Sequence, residues 1–243
     1  MTTTAAAHVP MSLRPPVLPL REPCDRIAAS LALVRDCVPV TCRVLRAGES
    51  LYAAGDRFQW LHVVHAGAFK LVNGAADGRE QVVGLQFKGD WLGFDGIASG
   101  RHGGSAVAMD TSEVWSVRYD DLLRASAREP DLARLLHCAM SREMARDRDA
   151  LMSLCTLSAD ARVAKFLQQW AVSLAERGLR TDQITLRMTR AEIGNHLGMK
   201  LETVSRALSR MERDGVIAFC GTGRRDIRIP DAGALGHAAA TLQ

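Results

Sequence analysis

The stretch TRAEIGNHLGMKLETVSRALSRMERDGVI, from Thr189 to Ile217, decides the fold of the C-terminal part of this chain. Apolar residues recur at helical spacing on both sides of Gly198, so two amphipathic helices are expected to meet there. A glycine at the junction allows the left-handed backbone conformation that a sharp turn between helices requires. The stretch therefore predicts a helix-turn-helix, a motif that places its second helix in the major groove of DNA.

Local signals define both helices of this motif. Thr189 is the predicted N-cap of the first helix, and Glu192 three residues later completes a capping box. Ile193 and Leu197 form the buried side of the first helix, and Lys200 restarts the chain after the turn. The predicted buried side of the second helix consists of Val204, Leu208 and Met211.

The second helix turns polar side chains outward. Glu202 and Arg206 are four residues apart and are therefore neighbours on one face, where an intrahelical ion pair is one alternative. A carboxylate can also accept from the amino group of cytosine, and arginine matches the two major-groove acceptors of guanine. We predict that Glu202, Ser205 and Arg206 read base edges. The predicted contacts with the DNA backbone are Thr189, Lys200, Ser209, Arg210, Arg224 and Arg225.

A hairpin is predicted after the second helix, in the segment VIAFCGTGRRDIRIP, with its turn at Gly221–Gly223. Arg224 and Arg225 at the tip could rest on phosphates, as the wing of a winged helix does. Residues 156–243 contain 13 Lys and Arg against 9 Asp and Glu, so this third of the chain carries the whole net charge of +4. That asymmetry suits a nucleic-acid-binding module beside a neutral one.

The composition changes along the rest of the chain. Residues 1–22 are rich in Thr, Ala and Pro, which predicts a flexible N-terminal arm, and residues 26–36 predict a short helix. Twelve of the 20 glycines fall between Gly48 and Gly104 and separate short alternating runs such as WLHVVHAGAFKLVN. Because such punctuated runs are typical of antiparallel barrels and sandwiches, we predict a β-roll sensor domain over residues 23–120.

A single long helix is predicted over residues 121–155, since apolar residues recur there at intervals of three or four. It is too long to lie entirely on one small barrel, so a second copy of the chain is expected to cover its apolar side. Asp147 interrupts that side: it either faces solvent or opposes its own copy across the two-fold axis and makes dimerisation conditional. The predicted dimer interface is Leu132, Leu136, Met140, Met144, Asp147 and Leu151.

The Thr189–Ile217 stretch resembles the winged helix of the cyclic-AMP receptor / fumarate–nitrate reduction regulator superfamily. The likeness extends through LRAGESLYAAGD, KGDWLGFDGIASG and the long helix, and so covers about residues 27–230. It implies an α+β fold with an N-terminal cyclic-nucleotide-binding-like β-roll (jelly roll), a long dimerisation helix and a C-terminal winged helix-turn-helix domain over 156–243. It also implies a cytoplasmic, homodimeric transcription activator that binds double-stranded promoter DNA and RNA polymerase.

The order Glu-Thr-Val-Ser-Arg at 202–206 is similar to the anaerobic-regulator branch of that superfamily rather than to its cyclic-AMP branch. This similarity implies a palindromic site with half-sites like TTGAT, read by Glu202, Ser205 and Arg206. The same resemblance makes the loop Asp77, Gly78, Arg79 and Glu80 a candidate contact with RNA polymerase. An ordinary β-turn with solvated charges explains that loop equally well.

The resemblance also suggests ligands for the β-roll, but this chain lacks residues of the family motifs that hold them. In cyclic-nucleotide members a Gly-Glu-Leu turn and an Arg-Ser/Thr-Ala step hold the ribose and the phosphate. Here the turn is Gly93-Phe94-Asp95, and Gly104 stands where an arginine would precede Ser105-Ala106. Arg101 comes three residues early, so cyclic-nucleotide binding is not expected.

The anaerobic branch often holds an iron–sulfur cluster on three closely spaced N-terminal cysteines and one cysteine in the β-roll. This chain has Cys24 in that region, with Cys37 and Cys42 well downstream, and Trp115 stands at the matching β-roll position. An iron–sulfur cluster is therefore not expected. Cys138 and Cys155 are expected to pack in the interior, and Cys220 is either buried and inert or a redox-sensitive thiol. Oxygen, redox state and nitric oxide are all candidate signals for this regulator, and activity without a signal is a further alternative.

Rival functions are a cyclic-nucleotide-responsive regulator, a kinase regulatory subunit and a cupin-like metal enzyme. For the enzyme, His62 and His65 lack a third ligand at workable spacing, and no acid–base constellation is apparent, so no catalytic residues and no metal site are predicted. Haem on His62, His65 or His102 is a minor alternative, because a lone histidine on a strand usually faces solvent. No apolar run approaches the roughly 20 residues that cross a bilayer, so no membrane contact is expected.

Overall fold

The computed structural model describes residues 23–74, 78, 80–221, 223–231 and 235–236 of the chain, and the predicted arm at 1–22 lies outside them. The first element is helix α1 (Pro23–Cys37), which confirms the helix predicted at 26–36. Leu31 and Val34 are its buried residues, and they pack in one core with strands of the domain that follows.

Eight strands form the predicted β-roll. They are arranged in two antiparallel sheets with the orders β1-β8-β3-β6 and β2-β7-β4-β5. Val64, Phe69 and Val114 lie fully buried in the core between strands of the two sheets. The strands are β1 (Thr41–Leu45), β2 (Ser50–Tyr52), β3 (Trp60–Ala66), β4 (Ala68–Gly74), β5 (Glu80–Phe87), β6 (Trp91–Leu92), β7 (Ser105–Ala108) and β8 (Ser112–Arg118), with a short helix α2 (Gly96–Ser99) between β6 and β7.

The helix predicted as one element over 121–155 is two helices, α3 (Tyr119–Ser126) and α4 (Pro130–Thr156). Pro130 disfavours the helical conformation of the residue before it, and Glu129 is extended, with φ −118° and ψ 91°. The prediction of an unbroken helix was wrong for this local reason. The 27 residues of α4 give it a length of about 40 Å.

The two ends of α4 have different surroundings. Leu132 and Leu136 are 0% and 9% exposed and pack in the subunit's own core with residues of β3 and β8. Their prediction as dimer contacts is therefore corrected: they attach α4 to its own β-roll. Met144 and Leu151 are 53% and 61% exposed, so the exposed apolar side is confined to the C-terminal half of the helix. Asp147 is also exposed there, and Met140 is half-buried.

The C-terminal part is the predicted winged helix domain. Ser158 caps α5 by accepting from the N–H of Ala161, and the three-stranded sheet has the order β10-β11-β9. The strand that precedes the helix-turn-helix spans Gln183–Thr185. The elements are α5 (Ala159–Ala175), β9 (Gln183–Thr185), α6 (Arg190–His196), α7 (Leu201–Arg213), β10 (Ala218–Cys220) and β11 (Asp226–Arg228).

The winged helix domain packs on its own β-roll. One hydrophobic core contains Val82 and Phe87 of β5 together with Phe166 and Trp170 of α5. Phe87 and Trp170 meet edge to face, with ring centroids 5.5 Å apart. Strands β4 and β5 therefore form the surface against which the winged helix domain packs. None of the helices in the described chain is long and apolar enough to cross a membrane.

Candidate nucleic-acid interface

The turn between α6 and α7 has the predicted geometry. Gly198 adopts φ +62°, and an added Cβ atom there would lie 3.1 Å from Leu154 Cδ2. Arg162 of α5 donates a 2.7 Å hydrogen bond to the carbonyl of Leu197, which satisfies an acceptor at the end of α6. At the other end of α6, Thr189 and Glu192 form the predicted capping box.

A second glycine, which the sequence analysis did not single out, also shapes this turn. Gly194 lies inside α6, and its carbonyl accepts from the N–H of Met199 at 2.8 Å. A Cβ atom at Gly194 would lie 2.6 Å from the carbonyl oxygen of Met199, so a side chain would push the turn away from α6. The sequence could have revealed this role, because a glycine inside a helix, four residues before Gly198, is an unfavourable choice unless close packing requires it.

Helix α7 has one buried and one exposed side, as predicted. Val204, Leu208 and Met211 are at most 3% exposed and pack in the core of the domain. Glu202 and Arg206 are exposed, and Ser205 is half-buried. Within the described ranges, neither Glu202 nor Arg206 forms an ion pair, so the alternative of an intrahelical pair is not realised here. Both side chains are free to meet base edges.

Of the residues predicted to contact the DNA backbone, Thr189, Lys200 and Ser209 are exposed. The Thr189 hydroxyl is engaged in the capping box, and the Ser209 hydroxyl accepts from the Arg224 guanidinium at 3.5 Å. The guanidinium of Arg210 is held by both carboxylate oxygens of Asp160 on α5, with Nε to Oδ2 at 2.9 Å. This ion pair ties α7 to α5, a role for Arg210 that the sequence analysis did not predict.

The two arginines of the wing differ as well. Arg224 adopts φ +49°, donates a 2.8 Å hydrogen bond to Glu212 on α7, and stacks on Phe219 with its Cζ atom 4.3 Å from the ring centroid. Arg225 is exposed and has no ion-pair partner in the part of the chain that the structure describes. Arg225 is therefore the wing cation that is available to a phosphate.

Arg190 of α6, which the sequence analysis missed, contacts two residues of the wing. It donates a 2.7 Å hydrogen bond to the carbonyl of Arg224, and its Cζ atom lies 5.5 Å from the Phe219 ring centroid. Burial, followed by the charge of Arg224, lowers the pKa of Arg190. Only tertiary contact between α6 and the wing creates this arrangement.

Polar contacts also hold α6 on the β-roll. Lys70 of β4 forms an ion pair with Glu192. Asn195 binds β5 edge-on: its Oδ1 accepts from the N–H of Val82 at 2.5 Å, and its Nδ2 donates to the carbonyl of Glu80. His196 Nδ1 lies 3.1 Å from the carbonyl of Val82.

The loop predicted to contact RNA polymerase lies next to the contact between α6 and strand β5. The backbone of Glu80 is engaged by α6, whereas its side chain and Gly78 are exposed. Asp77 and Arg79 lie outside the described residues. The prediction therefore stays open for this loop.

The histidines considered as haem ligands are not all on the surface. His62 and His102 are each 5% exposed, and Tyr52 stacks on His102 at 3.8 Å between ring centroids. Burial, followed by the charges of Arg43 and His102, lowers the pKa of His62 to about 3, so its imidazole is neutral at physiological pH. The expectation that a strand histidine faces solvent was wrong for His62 of β3, and His102, in the loop before β7, is buried as well.

His65 belongs to a separate cluster, stacked on Trp115 at 4.4 Å. Across the described residues, no group of three or more His, Cys, Asp or Glu side chains is arranged to hold a metal ion. All six cysteines are free thiols. Cys138 and Cys155 are exposed, which corrects the expectation that they pack in the interior, and Cys220 is half-buried. Cys138 and Cys155 each lie on a solvent-facing side of α4.

Comparison with known proteins matches this architecture. A model of the Crp-like helix-turn-helix domain matches residues 161–238, and one of the cyclic nucleotide-binding domain matches residues 42–129. The fumarate and nitrate reduction regulatory protein of Escherichia coli K12 is 34% identical over 177 residues, which cover 73% of this chain and 71% of that protein. The counterpart from Shigella dysenteriae has the same identity and coverage.

The chain belongs to the Crp/Fnr family of transcription regulators. Among solved structures, FixK2 from Bradyrhizobium japonicum superimposes with a TM-score of 0.72 at 29% identity, over 83% of this chain and 98% of that one. A variant of CooA from Carboxydothermus hydrogenoformans shares the fold, with a TM-score of 0.66 at 16% identity over 82% and 88% of the two chains. As a member of this family, the protein is a DNA-binding transcription regulator of the Crp/Fnr type.

The family model for cyclic nucleotides raises the question of whether the β-roll fits such a ligand. A phosphate in a protein site is commonly neutralised by an arginine. A Cβ atom at Gly104 would overlap Asn73 Oδ1 and lie 3.0 Å from the carbonyl of Val72. The guanidinium of Arg101 instead donates a 2.7 Å hydrogen bond to the carbonyl of Gly55. The residues present do not fit a nucleotide phosphate.

Proposed function

We propose that this protein is a homodimeric activator of transcription that reads a palindrome with TTGAT-like half-sites through Glu202, Ser205 and Arg206. The observation that carries the proposal is the exposed, unpaired state of Glu202 and Arg206 on a helix whose opposite side is buried. Glu202 offers an acceptor to a cytosine amino group, and Arg206 offers paired donors to a guanine.

Affinity in this proposal comes mainly from phosphate contacts around the recognition helix. Lys200 is the N-cap residue of α7, Ser209 lies on the exposed side of that helix, and Arg225 extends from the wing. Such contacts position the protein without reading sequence, and they make binding strongly dependent on salt. Each good base contact adds discrimination of about 1–3 kcal/mol.

Dimerisation through α4 is part of the proposal. Met144 and Leu151 are more than half exposed in the single subunit, and Met152 and Leu154 are also exposed. Large apolar side chains in this number on one helix favour burial against another chain. A two-fold dimer would place two copies of α7 about 34 Å apart, one turn of duplex, and would match a palindromic site.

Other parts of the proposal rest on the family. We place the protein in the cytoplasm and expect it to contact RNA polymerase, with the loop around Gly78 and Glu80 as the candidate surface. We propose neither an enzymatic activity nor a resident metal, haem or iron–sulfur cofactor. Its activity would respond to oxygen, redox state or nitric oxide, or be constitutive. A cyclic-nucleotide-responsive regulator is the alternative: the match of the β-roll to the cyclic nucleotide-binding domain favours it, whereas Gly104 and the engaged Arg101 count against it.

The test is selection of bound sequences from random duplex DNA, followed by gel shifts with Arg206 variants. We expect the wild type to enrich a TTGAT-like palindrome and Arg206→Ala to lose that preference while retaining weak binding at low salt. Arg206→Lys keeps the charge but cannot make the bidentate contact, so it should bind DNA without the preference at guanine. Arg128→Ala, which removes an exposed charge between α3 and α4, serves as the control and should bind normally.

Two results would contradict this reading. If Arg206→Ala and Arg206→Lys lost affinity equally for the selected palindrome and for random duplex, Arg206 would not read bases. If the selection enriched no palindrome, the proposed dimeric site would be wrong. Repeating the selection with and without oxygen and nitric oxide identifies the signal.

A further inference from the structure

The carboxylate of Asp95 lies between the α2 segment and the loop that precedes β7. It stands at the N-cap of α2 but makes no side-chain hydrogen bond to that helix. Its carboxylate turns instead toward the loop that precedes β7. Asp95 Oδ2 accepts from the N–H groups of Gly103 at 2.7 Å and Gly104 at 3.2 Å, and Oδ1 lies 3.5 Å from His102 Nδ1.

Two neighbouring backbone N–H groups that converge on one oxygen form an anion-binding concavity. The loop is crowded at Gly104, where an added Cβ atom would overlap Asn73 Oδ1 and lie 3.0 Å from the carbonyl of Val72. Gly93, at φ +101°, lets the Asp95 segment approach His102, since a Cβ atom there would lie 3.3 Å from His102 Cε1. The backbone is thus shaped to hold an anion at this point.

The anion that it holds is part of the same chain. No arginine or lysine joins it from the neighbouring positions, because Arg101 bonds to Gly55 and an added Cβ atom at Gly104 would meet Asn73 and Val72. The hydroxyl of Ser105 accepts from the N–H of Ala54 at 3.0 Å, which fixes its oxygen in place. A bound phosphate would have to displace the Asp95 carboxylate from both N–H groups and from His102, and would gain no guanidinium in return.

We propose that Asp95 is the permanent internal occupant of the anion site of this β-roll. The β-roll belongs to a family of domains named for cyclic nucleotides, whose shared anionic group is a phosphate diester. In this chain a carboxylate takes that place and ties the α2 segment to the loop before β7, so the two segments are joined without a ligand. This inference concerns the β-roll alone and does not depend on the DNA-binding proposal.

The site is open enough to be probed with small anions. Asp95, Gly104 and Ser105 line a cleft of about 1270 Å³ that also borders α4 and α5. Removing the carboxylate with Asp95→Ala should leave the two N–H groups facing a space that acetate can enter. The unfolding temperature of Asp95→Ala should fall by roughly 4 °C or more, and acetate should restore part of that loss.

A matched control is available in the same domain. Asp56 Oδ2 accepts from the N–H of Ala53 at 2.9 Å in an exposed turn, so Asp56→Ala also removes a carboxylate from a backbone donor. Water can replace that carboxylate, and acetate should not raise the unfolding temperature of Asp56→Ala above the response of the wild type. Inorganic phosphate is the second probe, and cyclic AMP is tested on the wild type.

The proposal is supported if acetate or phosphate stabilises Asp95→Ala selectively and cyclic AMP leaves the wild type unchanged. It is overturned if cyclic AMP raises the unfolding temperature of the wild type, or if acetate acts equally on the wild type, Asp95→Ala and Asp56→Ala. Should Asp95→Ala fail to fold, Asp95→Asn keeps the size and one acceptor. A stability of Asp95→Asn equal to that of the wild type would then show that the negative charge is not needed.

Discussion

Lys70 of the β-roll forms an ion pair with Glu192, the residue that also closes the capping box of α6 with Thr189. A single carboxylate therefore stabilises the start of the helix-turn-helix and binds it to the neighbouring domain. At the opposite end of α6, Asn195 bonds to the backbone of β5. Two separated contacts on one short helix fix the orientation of the DNA-reading domain relative to strands β4 and β5.

The two roles of Glu192 can be separated by substitution. Glutamine at this position can still close a capping box, so Glu192→Gln keeps the cap but turns its amide N–H₂ toward the Lys70 ammonium, and it should cost about 1–2 kcal/mol. Glu192→Ala loses the cap as well and should cost a further 0.5–2 kcal/mol or so. Urea unfolding measures both, and a double-mutant cycle with Lys70→Met isolates the pair. Equal losses for the two Glu192 variants would show that the cap contributes nothing.

Glu143 on α4 predicts a pH dependence of stability. Burial, followed by the charges of Asp147 and Asp95, raises the pKa of Glu143 from 4.5 to about 7, with Asp90 adding to the effect and Arg146 opposing it. Between these two values the folded protein holds a proton that the unfolded chain has released. Stability should therefore fall as the pH rises from about 4.5 to about 7.

Glu143→Gln should remove this part of the pH dependence and be more stable than the wild type above pH 7, by on the order of 1–3 kcal/mol. Denaturant unfolding at several pH values, on both proteins, measures the difference. Identical slopes for the two proteins across this window would contradict the assignment to Glu143.

The exposed half of α4 is expected to hold the dimer together. Leu151→Glu should convert the protein to a monomer that remains folded, as measured by sedimentation velocity and circular dichroism. Ala145→Glu, an exposed position on the cleft side of the same helix, should leave the dimer intact. Leu132→Ala should instead destabilise the subunit by about 2–5 kcal/mol, because Leu132 is fully buried. A Leu151→Glu protein that stays dimeric would refute the interface.

Asp147 is exposed on that same half of α4. If it opposes its own copy across the two-fold axis, Asp147→Ala should raise the dimer fraction at a fixed concentration, because a like-charge repulsion is removed. Sedimentation of wild type and variant at matched concentrations compares the two. An unchanged equilibrium would mean that Asp147 faces solvent in the dimer.

Arg225 and Arg210 should behave differently in DNA binding. Arg225→Ala should weaken binding to all duplex sequences and reduce the slope of log affinity against log salt by about 1. Arg210→Ala should leave that slope unchanged and lower the stability of the winged helix domain, because Arg210 is paired with Asp160. Affinity measurements across a salt series decide between the two behaviours. A reduced slope for Arg210→Ala would return Arg210 to the DNA surface.

The sequence by itself determined the elements that depend on neighbouring residues. The capping box at Thr189, the left-handed turn at Gly198 and the two-sided character of α7 were predicted, because each follows from local conformational preference and helical spacing. The β-roll was predicted from its glycine-punctuated alternation. The break before Pro130 was within reach of the same local reasoning and was missed.

Only the tertiary structure decided which surfaces are covered. Leu132 and Leu151 are both apolar residues of α4, yet one is buried by its own β-roll and the other is exposed. Arg210 and Arg225 are both arginines near the recognition surface, yet only Arg210 meets a carboxylate, on a residue 50 positions away. A side chain's partner is set by the packing of elements distant in the chain, and no local pattern in the sequence records that packing.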